Sequence, residues 1–196
     1  MELQAVKGAI GTNWDDIAER AGVATATVYR HFPTLEELIP ACADSVFKVS
    51  GLPTPDQAAR IFDGLSRPIE RIERLVINTC DCYGRASGWL KAARGEQDLV
   101  PAMGRAVQIH QEGLRILIRA ALTGHRVSHE TERILSALID FPFWRSLIDA
   151  GMSEREATAV VVRMVDAELG KLGFGKEVAH GRDKVVGRSN RVRPKR

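Results

Sequence analysis

Residues 13 to 32, NWDDIAERAGVATATVYRHF, constrain this chain more than any other stretch, because they read as two short helices joined at a tight turn. Ile17, Ala18 and Ala21 recur at helical spacing and are expected to form the inward stripe of the first helix. Gly22 supplies a left-handed turn conformation that a Cβ would penalise, and Val23, Val28 and Phe32 are expected to close a small core. The second helix, about Thr25 to His31, presents small, hydroxyl and aromatic side chains. A helix-turn-helix of this kind implies double-stranded DNA as partner, with the second helix laid in the major groove.

Around that motif the helix signals continue and strand signals are nearly absent, so the chain is expected to be all-α. Thr12 with Asp15, Thr34 with Glu37, Thr54 with Gln57 and Ser153 with Glu156 have the spacing of a capping box or a close variant, and Pro55 and Pro68 suit first helical turns. The pattern predicts helices over about Leu35 to Val49, Asp56 to Leu65, Pro68 to Ala93, Val100 to Leu122, Ser128 to Ala150 with an interruption at Pro142, and Ser153 to Gly170. Residues 1–50 then make a small head and residues 51–172 a larger helical body.

The charge is unevenly placed. From Lys171 to Arg196 nine Lys or Arg face two acids, a balance of +7, which leaves −4 on residues 1 to 170. Residues 173–196 lack a helical stripe and are expected to be a disordered basic tail, able to hold phosphates without sequence preference. Within residues 1 to 47, Lys7, Arg20 and Arg30 stand against seven acids. Cys42, Cys80 and Cys82 are too few for a disulfide framework, and no apolar run or leader pattern suits a membrane. A soluble protein of a reducing cytoplasm is expected.

The run IAERAGVATATVYRHFPTLEEL resembles the DNA-binding domain of the TetR (tetracycline-repressor-like) family, with its Gly turn, Tyr-Arg-His-Phe block and acidic helix start. The likeness covers about residues 11 to 47; three features depart from it, one being the acid excess of residues 1 to 47. The family's opening helix is longer than the turn or two that ELQAVK represents here, and Thr25 and Leu35 stand where Lys is common. By the resemblance, Tyr29, His31 and Thr12 reach phosphates, while Arg30 is at a variable position. On their own chemistry, Thr25 and Thr27 can bond phosphates or base edges, and Ala24 and Ala26 allow close approach and methyl contact with thymine.

The resemblance also implies a homodimer, formed by the last two helices pairing with their symmetry mates; Leu138, Phe143, Trp144, Leu147, Val160, Val161 and Met164 are the candidates, since their region carries more apolar residues than one stripe needs. It further implies a small-molecule effector in the body. Thr79, Tyr83, Trp89, Met103, His110 and Phe141 put polar or aromatic groups on apolar faces and are the candidate contacts. Cys80 and Cys82, two apart on a helix, point to different sides, so no metal site is expected, nor any cofactor. The sequence holds no Gly-rich phosphate loop, GxSxG, HExxH or CxxC, so it does not read as an enzyme. The expected function is a ligand-responsive, dimeric transcriptional regulator, a repressor by family habit. Its rival is a dimeric ligand-binding or interaction module whose DNA binding is impaired by the shortened first helix.

Overall fold

Glycine-limited helix ends and proline-led helix starts divide the chain. The computed structural model describes residues 2–51 and 53–174, all of them helix, turn or loop, with no strand among the described residues. Helices α1 (Glu2–Lys7), α2 (Trp14–Ala21) and α3 (Thr25–His31) form the head, and α4 (Leu35–Ser50) carries it onto the body. A 3₁₀ turn, Pro55–Gln57, and the single turn α5 (Ala58–Ile61) follow. The body is α6 (Pro68–Glu96), α7 (Pro101–Ala121), α8 (His129–Ile139), α9 (Phe141–Asp149) and α10 (Glu154–Gly170). The all-α architecture with a small head is as expected; the segment from 175 on lies outside the described residues, and with it nearly all of the expected tail.

α6 is the axis of the body. Its buried residues, among them Ile69, Ile72, Leu75, Val76, Thr79, Tyr83, Ala86, Leu90 and Ala93, recur every three or four positions and face α7, α9 and α10. Pro68 sits at the first helical position, where a missing N–H is harmless. α10 runs antiparallel to α6, with Glu154 against Gly84 and Thr158 against Cys80. Its start is sealed by the expected capping box, in which Ser153 and Glu156 satisfy each other's backbone N–H.

Several local expectations change. The interruption expected at Pro142 falls two residues earlier, at Asp140, whose extended backbone (ψ 152°) separates α8 from α9. Asp140 then caps α9 by accepting the Phe141 N–H at 2.8 Å, and Pro142 falls in the first turn, where it needs no partner. The expected helix at 56–65 shrinks to α5, because the left-handed Gly64 (φ 73°) turns the chain just beyond it. The cap of α2 is Asn13 in a box with Asp16, one residue later than the Thr12 and Asp15 pairing expected. Thr34 stands at the start of α4 without a side-chain cap bond.

The head core is smaller than the expected stripe. Ala18 and Val28 are buried with Ala9, Leu38 and Ile39, whereas Ala21 is exposed, Ile17 half-buried and Val23 44% exposed. Ala21, Ile17, Leu38 and Cys42 instead line a mostly apolar cavity of about 300 Å³ bounded by α1.

Candidate nucleic-acid interface

Gly22, at φ 67°, ends α2 in the left-handed conformation, and its N–H returns to the carbonyls of Ala18 and Glu19. The chain can therefore reverse into α3 within three residues. Trp14 then fixes the two helices to each other. Its Nε1–H donates to the Phe32 carbonyl at 2.6 Å, and its ring stacks on Tyr29 at 5.4 Å with the planes 19° apart. Val28 is the inward residue of α3. Around it α3 is more open: Ala24, Ala26, Tyr29, Arg30 and His31 are exposed, and Thr25 and Thr27 half-buried. Between them these side chains offer two hydroxyls, two methyls, a phenol and the basic last turn of α3.

Thr12 departs from this set. It is 4% exposed, and its hydroxyl donates to the Gly8 carbonyl at 2.6 Å, closing the C-terminus of α1. Asn13 takes over the exposed cap position. Sequence reasoning missed Trp14, whose spacing to Tyr29 and Phe32 is visible only once α2 and α3 are folded together. It also missed Asp15, whose carboxylate accepts from the Thr25 hydroxyl at 2.7 Å at the start of α3.

The electrostatics of the head are largely internal. Lys7 pairs with Asp16 at 2.9 Å, and Arg20 pairs with Glu2. The Lys7 hydrogen bond holds the Asp16 carboxyl below its ordinary range. Arg30, by contrast, has no ion-pair partner among the described residues and lies on the exposed face of α3.

Two carboxylates fasten the head to the body in opposite senses. Glu96, the last residue of α6, accepts the N–H groups of Ala9 (2.7 Å) and Ile10 (3.4 Å) in the turn after α1. Gly8, at φ 75°, makes room for that carboxylate, since a Cβ there would run into Glu96 Oε1. Glu36, in the first turn of α4, reaches the other way, accepting the Ala102 N–H at 3.1 Å and pairing with Arg105 of α7. The far end of α4 is held by Arg85, which donates twice to the Ser50 carbonyl (2.9 and 2.6 Å), and by the Cys82 thiol, which donates to Gly51 O at 3.0 Å.

In the body, Thr79, Tyr83, Trp89, Met103 and Phe141 are all buried, and His110 nearly so. A run of rings connects them: Trp89 meets Phe47 at 6.2 Å, Phe47 meets His110 at 6.4 Å, His110 meets Tyr83 at 5.8 Å, and Tyr83 meets Phe141 at 5.4 Å. Met103, on α7, belongs to the same core. Beside the rings, Arg94 donates to Asp140 at 2.5 Å, with both side chains largely buried, and Gln111 donates to the same carboxylate at 3.3 Å. Burial lowers the His110 pKa, which Asp140 at 3.8 Å partly opposes and Arg94 reinforces.

The expected dimer residues divide. Trp144 and Val161 lie in this chain's own core, because Trp144 packs on Tyr83 and Val161 faces α6. Leu138, Phe143, Leu147 and Val160 are half-buried, and Met164 is 46% exposed. Burial pushes the Cys80 thiol up to about 12 and raises that of Cys82 as well. No group of three His, Cys, Asp or Glu suited to a metal occurs among the described residues, and no helix among them is long and apolar enough to cross a membrane.

Residues 1–42 match the sequence profile of the bacterial regulatory proteins of the tetR family. No curated protein matches the chain in sequence. Solved structures share its fold. A candidate fatty acid metabolism regulator of Clostridium perfringens superposes with a TM-score of 0.62 at 15% identity, covering 84% of this chain and 93% of the other. The multidrug binding protein EbrR, solved with imidazole, gives 0.56 at 20% identity, covering 83% and 88%. A TetR transcriptional regulator from Rhodococcus sp. RHA1 gives 0.51 at 18% identity, covering 87% and 91%.

Proposed function

We propose that this chain, a TetR family transcriptional regulator by its N-terminal 42 residues, is a homodimer that binds a palindromic operator and releases or tightens its hold in response to a small molecule. The observation that carries the reading is the face of α3. Trp14 locks α3 to α2 through Phe32 and Tyr29, leaving Ala24, Thr25, Ala26 and Thr27 to meet base edges and Tyr29, Arg30 and His31 to meet phosphates. Two such faces, related by a two-fold axis through α8, α9 and α10, would meet major grooves about 34–36 Å apart, or a little more. Met164, Val160, Leu138, Phe143 and Leu147 are the apolar side chains left for that contact. Repression is the mode we assign, in the cytoplasm.

The effector acts on the body. A ligand that binds one arrangement of α6 better than another shifts the population of head positions, and no other requirement exists. Glu96 and Glu36 supply the connection, since each joins a head turn to one end of the α6–α7 corner.

The acidity of the head favours a second reading, a dimeric ligand-binding or interaction module with impaired DNA binding. Lys7 and Arg20 are already neutralised by Asp16 and Glu2, so little positive charge faces a polyanion. Selection of a randomised duplex library by the purified protein, at low and near-physiological salt, separates the two. Enrichment of a palindrome that survives the higher salt supports the regulator. Binding at low salt alone, with no enriched sequence, supports the module and reduces the basic tail to electrostatic adhesion.

A further inference from the structure

The body interior holds hydrogen-bonding groups that the protein itself leaves unused. The Thr79 hydroxyl and the Trp144 indole N–H are both buried, at 2% and 1% exposure of their residues, and neither has a hydrogen-bond partner. Trp89 Nε1, at the other end of the ring cluster, is in the same state. The large majority of buried side-chain polar groups in native interiors have a partner, so these orphans point to one that comes from outside. Thr79 and Trp144 are related through Tyr83. Thr79 lies one helical turn before Tyr83 on the buried face of α6, and Trp144 packs on Tyr83 at 5.8 Å and on Phe141 at 6.0 Å.

We infer that the interior between α6 and α9 is a latent site for an uncharged, largely apolar molecule that carries a hydrogen-bond acceptor, such as an aromatic ketone, ester or lactone. An indole N–H can only donate, so the ligand must offer an acceptor. The surrounding rings, Tyr83, Phe141 and Trp144, supply an apolar enclosure. Charge on the ligand is disfavoured, because the buried ions nearby, Arg94 and Asp140, already neutralise each other at 2.5 Å. The Tyr83 hydroxyl donates to the Ile139 carbonyl at 3.1 Å and is therefore occupied. Entry is through α9. This nine-residue helix carries Phe141 and Trp144 and is flanked by the extended Asp140 and the left-handed Gly151 (φ 94°), two points at which the backbone can turn. This assignment of ligand class rests on the ligand-responsive reading above.

The test uses nuclear magnetic resonance of the full chain with ¹⁵N-labelled indoles, titrated separately with acetophenone, ethylbenzene, benzoate and benzyltrimethylammonium. Trp14 is the internal reference, since its indole already donates to Phe32 O. The expected result is a saturable downfield shift of the Trp144 indole proton with acetophenone, and none at Trp14. Thr79→Val, which keeps the shape and removes the hydroxyl, should weaken acetophenone roughly three- to tenfold, as loss of one hydrogen bond requires. Trp144→Phe, which keeps a ring, should do likewise; Thr79→Val stands alone if that variant does not fold. Equal binding of ethylbenzene, preference for benzoate or the ammonium, or no binding of any probe would each overturn the assignment. Failure of the regulator reading looks different: acetophenone shifts Trp144, yet the same preparation enriches no palindrome.

Discussion

Replacing Asp140 by alanine should unfold the body far more readily than its partial exposure at the α8–α9 break suggests. One carboxylate there accepts from Arg94 (2.5 Å), Gln111 (3.3 Å) and the Phe141 N–H (2.8 Å). Loss of the helix cap costs about 1 kcal/mol. Removing one partner of a buried ion pair leaves an uncompensated charge, at about 3–5 kcal/mol. Arg94 keeps 16% of its side-chain surface in water, which places its share at the lower end, and the two together come to about 3–4 kcal/mol. In a chain of this length that lowers the melting temperature by roughly 6–16 °C. Urea and thermal melts of Asp140→Ala, Asp140→Asn and the double variant Arg94→Met/Asp140→Ala provide the measurement. The Asn variant retains an acceptor for the Phe141 N–H and should recover about 1 kcal/mol. The double variant should be more stable than Asp140→Ala, because no charge is then left without a partner. A loss below about 1 kcal/mol in Asp140→Ala, or a double variant less stable than Asp140→Ala, would refute the ion-pair reasoning.

Three further outcomes are expected. His110 is held below its ordinary 6.5 by burial, so the unfolded chain takes up the proton first: stability is complete above about pH 6.5 and falls as the pH drops toward the folded value, and His110→Gln should flatten that dependence in melts between pH 7.5 and 5. Gly8→Ala must find room for a Cβ beside Glu96 at a positive φ, whereas Gly22→Ala meets nothing within 4 Å; calorimetry should show a loss of about 1–2 kcal/mol for Gly22 and a larger one for Gly8, and equal losses would sink the Glu96 contact. Asp15→Asn removes a negative charge from the start of α3 and should strengthen duplex binding roughly two- to threefold at low salt, the effect of one unit charge about 8 Å from a phosphate in water; an unchanged or weaker affinity would place Asp15 away from the backbone.

The head was readable from its residues because its information is local. Gly22 lies in the left-handed region, Val28 faces inward and α3 spans Thr25–His31, all as the spacing required. Periodicity also placed α6, α7 and α10 to within a few residues, since a buried face on a long helix repeats many times. Where one polar side chain could serve two partners, the pattern was ambiguous. Thr12 has the spacing of a cap, yet its hydroxyl turns back to Gly8 and Asn13 caps instead. Trp144 and Val161 look alike in sequence to Met164, but only packing against α6 decides that the first two are core and the third is left exposed.

What the sequence determined by itself was therefore the succession of helices and the motif that turns α2 into α3, because caps, glycine turns and apolar spacing act over a few residues. Tertiary structure alone decided which carboxylates join head to body, that Trp14 fastens α3 to α2, and that the Thr79 hydroxyl and Trp144 indole are buried without partners of their own. Those contacts link residues far apart along the chain, such as Glu96 with Ala9 and Glu36 with Ala102. No local spacing encodes them; they exist only after the hydrophobic faces of separate helices have been buried against one another.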